Sequence, residues 1–256
     1  MIDRSQAEMP FLDHLDELRK RLIWSLAALT VACILGLIAT TQFGVLEIIE
    51  RPIRGLVPMD NLIYTSPTTP FFVTLKLGFI VGLILAFPFL SWQLWSFLSP
   101  ALYESERRFA IPAIAFGSVL FLGGISLAYF WVLPFGLEIL LGFYRESLTP
   151  LISIDEYLKF ATALILAFGL IFEMPVLLVF LSMVGIVTPE GLAKYRRHAI
   201  VVMAILSAFL TPQDPFTMVA MMIPLMILYE SSIITARMIR KRRNQRQEAE
   251  SEGSPA

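Results

Sequence analysis

Long apolar runs constrain this chain more than any other feature. We read six: residues 22–41, 71–90, 109–135, 157–187, 199–210 and 216–235. They are too long for buried strands and too unbroken for amphipathic helices. A helix that crosses a hydrocarbon core of about 30 Å needs about 20 apolar residues. In lipid every backbone N–H and C=O must be satisfied within the segment, so the runs are expected to be helices. Composition agrees: 57% of residues are hydrophobic and 16% charged, against about 25% charged in a soluble domain. Mean hydropathy is +0.72. The first run is too hydrophobic, and too well followed by others, to read as a cleaved signal peptide.

The same numbers exclude several functions. The single cysteine, Cys33, allows no disulfide framework and no multi-cysteine zinc site. Two histidines, His14 and His198, leave little for a metal centre. A net charge of −1 offers no broad basic surface for nucleic acid. No glycine-rich phosphate loop, nucleophile elbow or metalloprotease helix is present, so neither a cofactor nor an enzymatic activity is expected.

Orientation follows from Lys and Arg, which accumulate on the cytoplasmic side. The N-terminus, the loops after the second and fourth runs and the tail hold 15 of the 20, and the other side holds 5. Both termini are therefore expected in the cytoplasm. Residues 1–236 read as one integral membrane domain and 237–256 as a charged tail without regular structure beyond its first turns. The fifth run has only 12 residues, about 18 Å of helix, and Glu230 interrupts the sixth. Both are expected to be short and to thin the bilayer locally.

Local signals place the helix ends. Thr69-Pro70, Ser99-Pro100 and Thr188-Pro189 each set a capping hydroxyl before a proline at the first helical position. Ser153 and Glu156 have capping-box spacing. Pro175 is expected to kink the fourth helix. Between the first two runs, Val45, Leu46, Ile49, Ile53 and Leu56 suggest a short amphipathic helix at the outer interface.

Three acids are candidates for function. Glu17 lies in an amphipathic segment where Phe11, Leu15, Leu18 and Leu22 form one stripe. It either pairs locally with Arg21 at i+4 or receives a cation from outside. Glu104 has Arg107 at i+3 and Arg108 at i+4, whereas Glu106 has no cation at helical contact spacing. Glu106 is thus a solvated loop acid or one open to an external partner. Glu173 lies midway along the fourth run, where a charge costs about 2.5–3.5 kcal/mol on insertion scales. It is either functional or a protonated carboxyl bonded to a neighbouring hydroxyl or carbonyl.

Taken in order, several blocks resemble the TatC family, the multi-spanning core of the twin-arginine protein translocase. They are residues 11–22 (FLDHLDELRKRL), Thr69-Pro70-Phe71-Phe72, residues 97–103 (FLSPALY), Glu106-Arg107-Arg108, residues 168–175 (FGLIFEMP) and residues 211–215 (TPQDP). The resemblance covers roughly residues 10–240. It implies a concave, glove-shaped six-helix membrane protein without hydrolytic activity, in the bacterial cytoplasmic membrane. It implies recognition of folded precursors with twin-arginine signal peptides. It also implies assembly with TatA- and TatB-type single-span proteins and other copies of itself, and transport driven by the proton motive force. By the same resemblance Glu17 and Glu106 form the site for the arginine pair, with Gln93 as a neighbour. Glu173 is a polar group on the concave side, Pro52 a functional outer-loop proline, and the fifth and sixth helices a partner-binding face. Met218 stands where well-known members carry glutamine, which weakens the carry-over of a polar partner contact at that end. The alternative from a different class is a proton-coupled small-solute transporter using Glu173. The chain shows no internal repeat and no paired broken helices to favour it.

Overall fold

Helix α1 (Phe11–Gln42) carries its amphipathic start directly into the first apolar run without a break. The computed structural model describes residues 11–57, 62–98, 110–142, 150–210 and 215–252. After α1 come α2 (Val45–Glu50), α3 (Thr69–Leu98), α4 (Ala110–Leu127), a π-helical turn (Ala128–Val132) and α5 (Leu133–Gly142). The chain continues through α6 (Ile154–Ile171), α7 (Met174–Met183), α8 (Pro189–Lys194), α9 (Arg196–Leu210) and α10 (Pro215–Glu252). Among the described residues there is no strand, only an isolated bridge between Ile63 and Ser153.

Five segments are long and apolar enough to cross a membrane: His14–Gln42, Thr69–Phe97, Pro112–Gly142, Ile154–Met183 and Thr217–Lys241. Their exposed faces carry Leu22, Trp24, Val31, Leu35, Phe79, Val119 and Ile227, a surface suited to lipid rather than water. The fifth run behaves differently. It lies in α9, whose 15 residues reach only about 22 Å at 1.5 Å per residue. The sixth is not short. Its apolar segment has 25 residues, and Glu230, a good helix former paired with Arg196, lies within a continuous helix. The tail is helical as well, since α10 runs on to Glu252. From Arg237 to Glu252 the sequence is rich in Arg, Lys, Gln, Glu and Ala and has neither Gly nor Pro, so nothing ends the helix earlier.

The chain groups into two compact units, 1–48 with 70–118 and 49–69 with 119–256, the division falling inside α2 and α4. In the first, α1 and α3 cross at glycines. A Cβ on Gly36 would stand 2.6 Å from the Gly82 nitrogen, and one on Gly82 would stand 2.5 Å from Cys33 Cα. The backbones therefore touch, as small residues permit between membrane helices. This crossing sets the relation between the start of α1 and the end of α3.

In the second unit, Gly124 and Gly169 provide a similar approach between α4 and α6. Leu192, Met203, Leu225, Tyr229 and Ile233 form a core joining α8, α9 and α10. The π turn precedes Pro134: the Leu133 N–H reaches back five residues to the Ala128 carbonyl, a wider turn that leaves room for the proline ring. The expected break in the fourth run falls at Phe172-Glu173, with Pro175 at the second position of α7. Proline brings no N–H for the Ile171 carbonyl, so the helix restarts rather than continuing.

Of the expected caps, Thr188 acts as one, its hydroxyl accepting from the Gly191 N–H at 3.0 Å. Ser153 is the N-cap residue of α6 but its side chain makes no capping bond. The Ile154 N–H is instead satisfied by the Ile63 carbonyl at 2.8 Å. Thr69 uses its hydroxyl to reach Asp155 Oδ2 at 3.3 Å rather than to cap α3. Ser99-Pro100 lies outside the described residues. The short amphipathic helix exists as α2, with Ile49 and Ile53 buried.

Candidate functional site

Glu17 lies on the second turn of α1, and the glycine crossing brings that turn beside the end of α3. Arg21, one turn further along α1, donates from Nε to Glu17 Oε1 at 2.9 Å and from Nη2 to the same oxygen. Its remaining nitrogen, Nη1, points across to Gln93 Oε1 on α3 at 3.4 Å. Glu17 Oε2 is buried and has no hydrogen-bond partner among the described residues. His14, one turn before Glu17, stacks on Phe97 of α3 with ring centroids 4.5 Å apart and planes 15° from parallel. The stack and the amide contact both bridge α1 and α3, so they hold the carboxylate at a defined place. Chemically the arrangement is a carboxylate with one oxygen occupied by a guanidinium and the other open, beside a neutral amide acceptor.

The structure thus brings together Glu17 and Gln93, through Arg21. Glu106 and Glu104 lie outside the described residues. Glu173 belongs to the other unit, at the break between α6 and α7. Its Oε1 is buried without a hydrogen-bond partner among the described residues. Of the two readings of Glu173 from sequence, the bonded carboxyl finds no partner for this oxygen among the described residues. Pro52 sits half-buried in the turn after α2, immediately before the buried Ile53. That turn is fastened to α6, since the Tyr157 hydroxyl donates to the Ile49 carbonyl. Met218 is half-buried in the first turn of α10.

Sequence reasoning missed three features. His14 received no role, and its stacking on Phe97 has no signature at a separation of 83 residues. The pairs Arg196–Glu230, at 2.8 Å, and Arg240–Glu190 tie α8 and α9 to α10. The Tyr229 hydroxyl adds a bond to the Leu192 carbonyl at 2.8 Å. The third is the glycine crossing, whose signal was present as Gly78 and Gly82 in G-x-x-x-G spacing.

These features define a polytopic helical membrane protein whose polar groups gather where two helix ends meet and where one helix breaks. The model of the Sec-independent protein translocase protein (TatC) family matches residues 13–224. The TatC protein of Aquifex aeolicus is 40% identical over 243 residues, covering 94% of this chain and 100% of its own. That of Desulforapulum autotrophicum is 37% identical over 254 residues, covering 99% and 93%. A crystal structure of the twin-arginine translocase receptor TatC in DDM superposes with a TM-score of 0.80 at 41% identity, covering 87% of this chain and 99% of that one. The chain belongs to the TatC family. It is a membrane subunit of a protein translocase and not an enzyme. The small-solute transporter alternative finds no support in these matches.

Proposed function

We propose that this chain is the core and signal-peptide receptor of a twin-arginine translocase in a bacterial cytoplasmic membrane. Glu17, Glu106 and Gln93 receive the arginine pair of a folded precursor's signal peptide. The chain works with TatA- and TatB-type single-span proteins and with other copies of itself, and the proton motive force drives export. Residues 1–236 form one membrane domain with six spans and both termini in the cytoplasm. The observation that carries this reading is the cluster of Glu17, Arg21 and Gln93, a carboxylate already holding a guanidinium by two N–H bonds. A planar guanidinium presents a fork that an ammonium lacks. The detergent-extracted protein should retain a twin-arginine precursor in a pull-down and release its twin-lysine variant. Equal retention of both ends this reading.

The topology has its own test, motivated by the 15-to-5 split of Lys and Arg. With Cys33 replaced, single cysteines at Asn61 and Thr149 should react with an impermeant reagent from outside. Cysteines at Ser105 and Gln245 should react only after the membrane is opened. Outside labelling at Ser105 or Gln245 excludes the arrangement.

Glu173 should face water or a partner helix rather than lipid, because lipid exposure of its charge costs about 2.5–3.5 kcal/mol or more. Its buried Oε1 lacks a partner within the described chain, as expected if the partner is not part of this chain. Glu173→Leu should reduce transport or complex assembly without lowering protein level. Normal export and assembly in that variant leave Glu173 without a functional role.

A further inference from the structure

The Glu17–Arg21 contact is built unlike an ordinary ion pair on a helix surface. A guanidinium facing a carboxylate normally sets two parallel N–H bonds on two oxygens. Here Nε and Nη2 both address Oε1, while Oε2 is buried and has no hydrogen-bond partner among the described residues. A buried carboxylate oxygen without a donor is costly, so a further donor would stabilise it. Arg21 is also already turned towards a second acceptor, with Nη1 3.4 Å from Gln93 Oε1. The side chains of Arg21 and Glu17 retain 26% and 22% exposure, so a competitor can approach from the water.

We propose that Arg21 is an internal stand-in for a signal arginine. It occupies Glu17 in the empty receptor, is displaced by the incoming guanidinium, and is held afterwards by Gln93. The inference rests on Glu17 being part of the signal-peptide site. Its consequence is a threshold on affinity. Any ligand must first displace the two N–H bonds on Oε1, a cost set by Arg21 and not by the ligand, so Arg21 lowers the affinity for twin-arginine and twin-lysine signals by the same factor. Discrimination between the two stays with the acids, which a guanidinium fork meets and an ammonium does not.

The test uses the full-length protein in lipid nanodiscs with fluorescent twin-arginine and twin-lysine signal peptides. Arg21→Gln should bind the twin-arginine peptide roughly threefold to tenfold tighter, the scale of a partly buried ion pair. The twin-lysine peptide should gain by the same factor, so that the discrimination ratio stays unchanged. Arg21→Lys keeps the charge without the fork and should tighten both peptides part of the way. It carries the test alone if Arg21→Gln is not recovered folded. Lys20→Gln removes a neighbouring exposed charge and should leave both affinities unchanged, which separates competition from bulk electrostatics. In a Glu17→Gln background, Arg21→Gln should change nothing. Unchanged affinity in Arg21→Gln and Arg21→Lys, or weaker binding by Arg21→Gln that Arg21→Lys restores, overturns the competition while leaving the receptor reading intact. Full binding by Glu17→Gln removes Glu17 from the receptor site and the inference with it.

Discussion

Gly82→Leu is expected to leave little folded protein in the membrane, and what remains should not bind a precursor. A Cβ at Gly82 falls 2.5 Å from Cys33 Cα and 2.7 Å from the Cys33 nitrogen, both backbone atoms of α1. Overpacking against yielding side chains costs about 1–3 kcal/mol. A backbone cannot rotate away, so α1 and α3 must separate. Within a membrane no hydrophobic force draws helices back together, because lipid is as apolar as the partner helix. Separation also opens the 3.4 Å reach from Arg21 to Gln93 and the stack of His14 on Phe97, both of which span the two helices. Gly123→Leu is the matched control, since Gly123 is exposed and a Cβ there meets nothing within 4 Å. Extractable protein, thermal unfolding in detergent and precursor binding measure the outcome. Wild-type stability and binding in Gly82→Leu would show that the close crossing is dispensable.

Much of the architecture was legible because lipid removes alternatives. A run that must satisfy its own backbone can only be a helix, so the long apolar segments and the break near Pro175 followed from local sequence. Length was decisive for α9, whose apolar run is the one that falls short of the five long segments. Charge composition misled at the tail, because Arg, Lys, Gln, Glu and Ala suit both a disordered segment and a continuing helix. Only the absence of a breaker before Gly253 separates the two. At the site, Glu17 and Arg21 were legible as an i,i+4 pair. The route from Arg21 to Gln93 was not, because it depends on a crossing set by Gly36, Gly78 and Gly82 on two helices. Arg196–Glu230 and Arg240–Glu190 were hidden for the same reason: no local pattern links charges separated by 34 and 50 residues.

The sharpest discrimination is expected between Glu106 and Glu104, two acids of the same loop. Glu104 has Arg107 and Arg108 at the spacings where helical side chains meet, and Glu106 has neither. An acid already neutralised gains little from a ligand arginine, whereas an unpaired one gains a charge-assisted hydrogen bond of about 1.5–3 kcal/mol. Glu106→Gln keeps the size and loses the charge, so twin-arginine binding should weaken on the order of tenfold to a hundredfold. Glu104→Gln should change it far less. Glu17→Gln should lie between them, because in the unmodified protein the ligand recovers at Glu17 only the difference between its own arginine and Arg21. With Arg21→Gln as background, that masking disappears and Glu17→Gln should cost nearly as much as Glu106→Gln. The ordering therefore reports both the acid that faces the ligand unaided and the one that faces it through a competitor. Precursor crosslinking or affinity across the series, with protein level and membrane insertion checked for each variant, measures it. Equal losses for Glu104→Gln and Glu106→Gln, or undiminished binding by Glu106→Gln, would remove Glu106 from the arginine site.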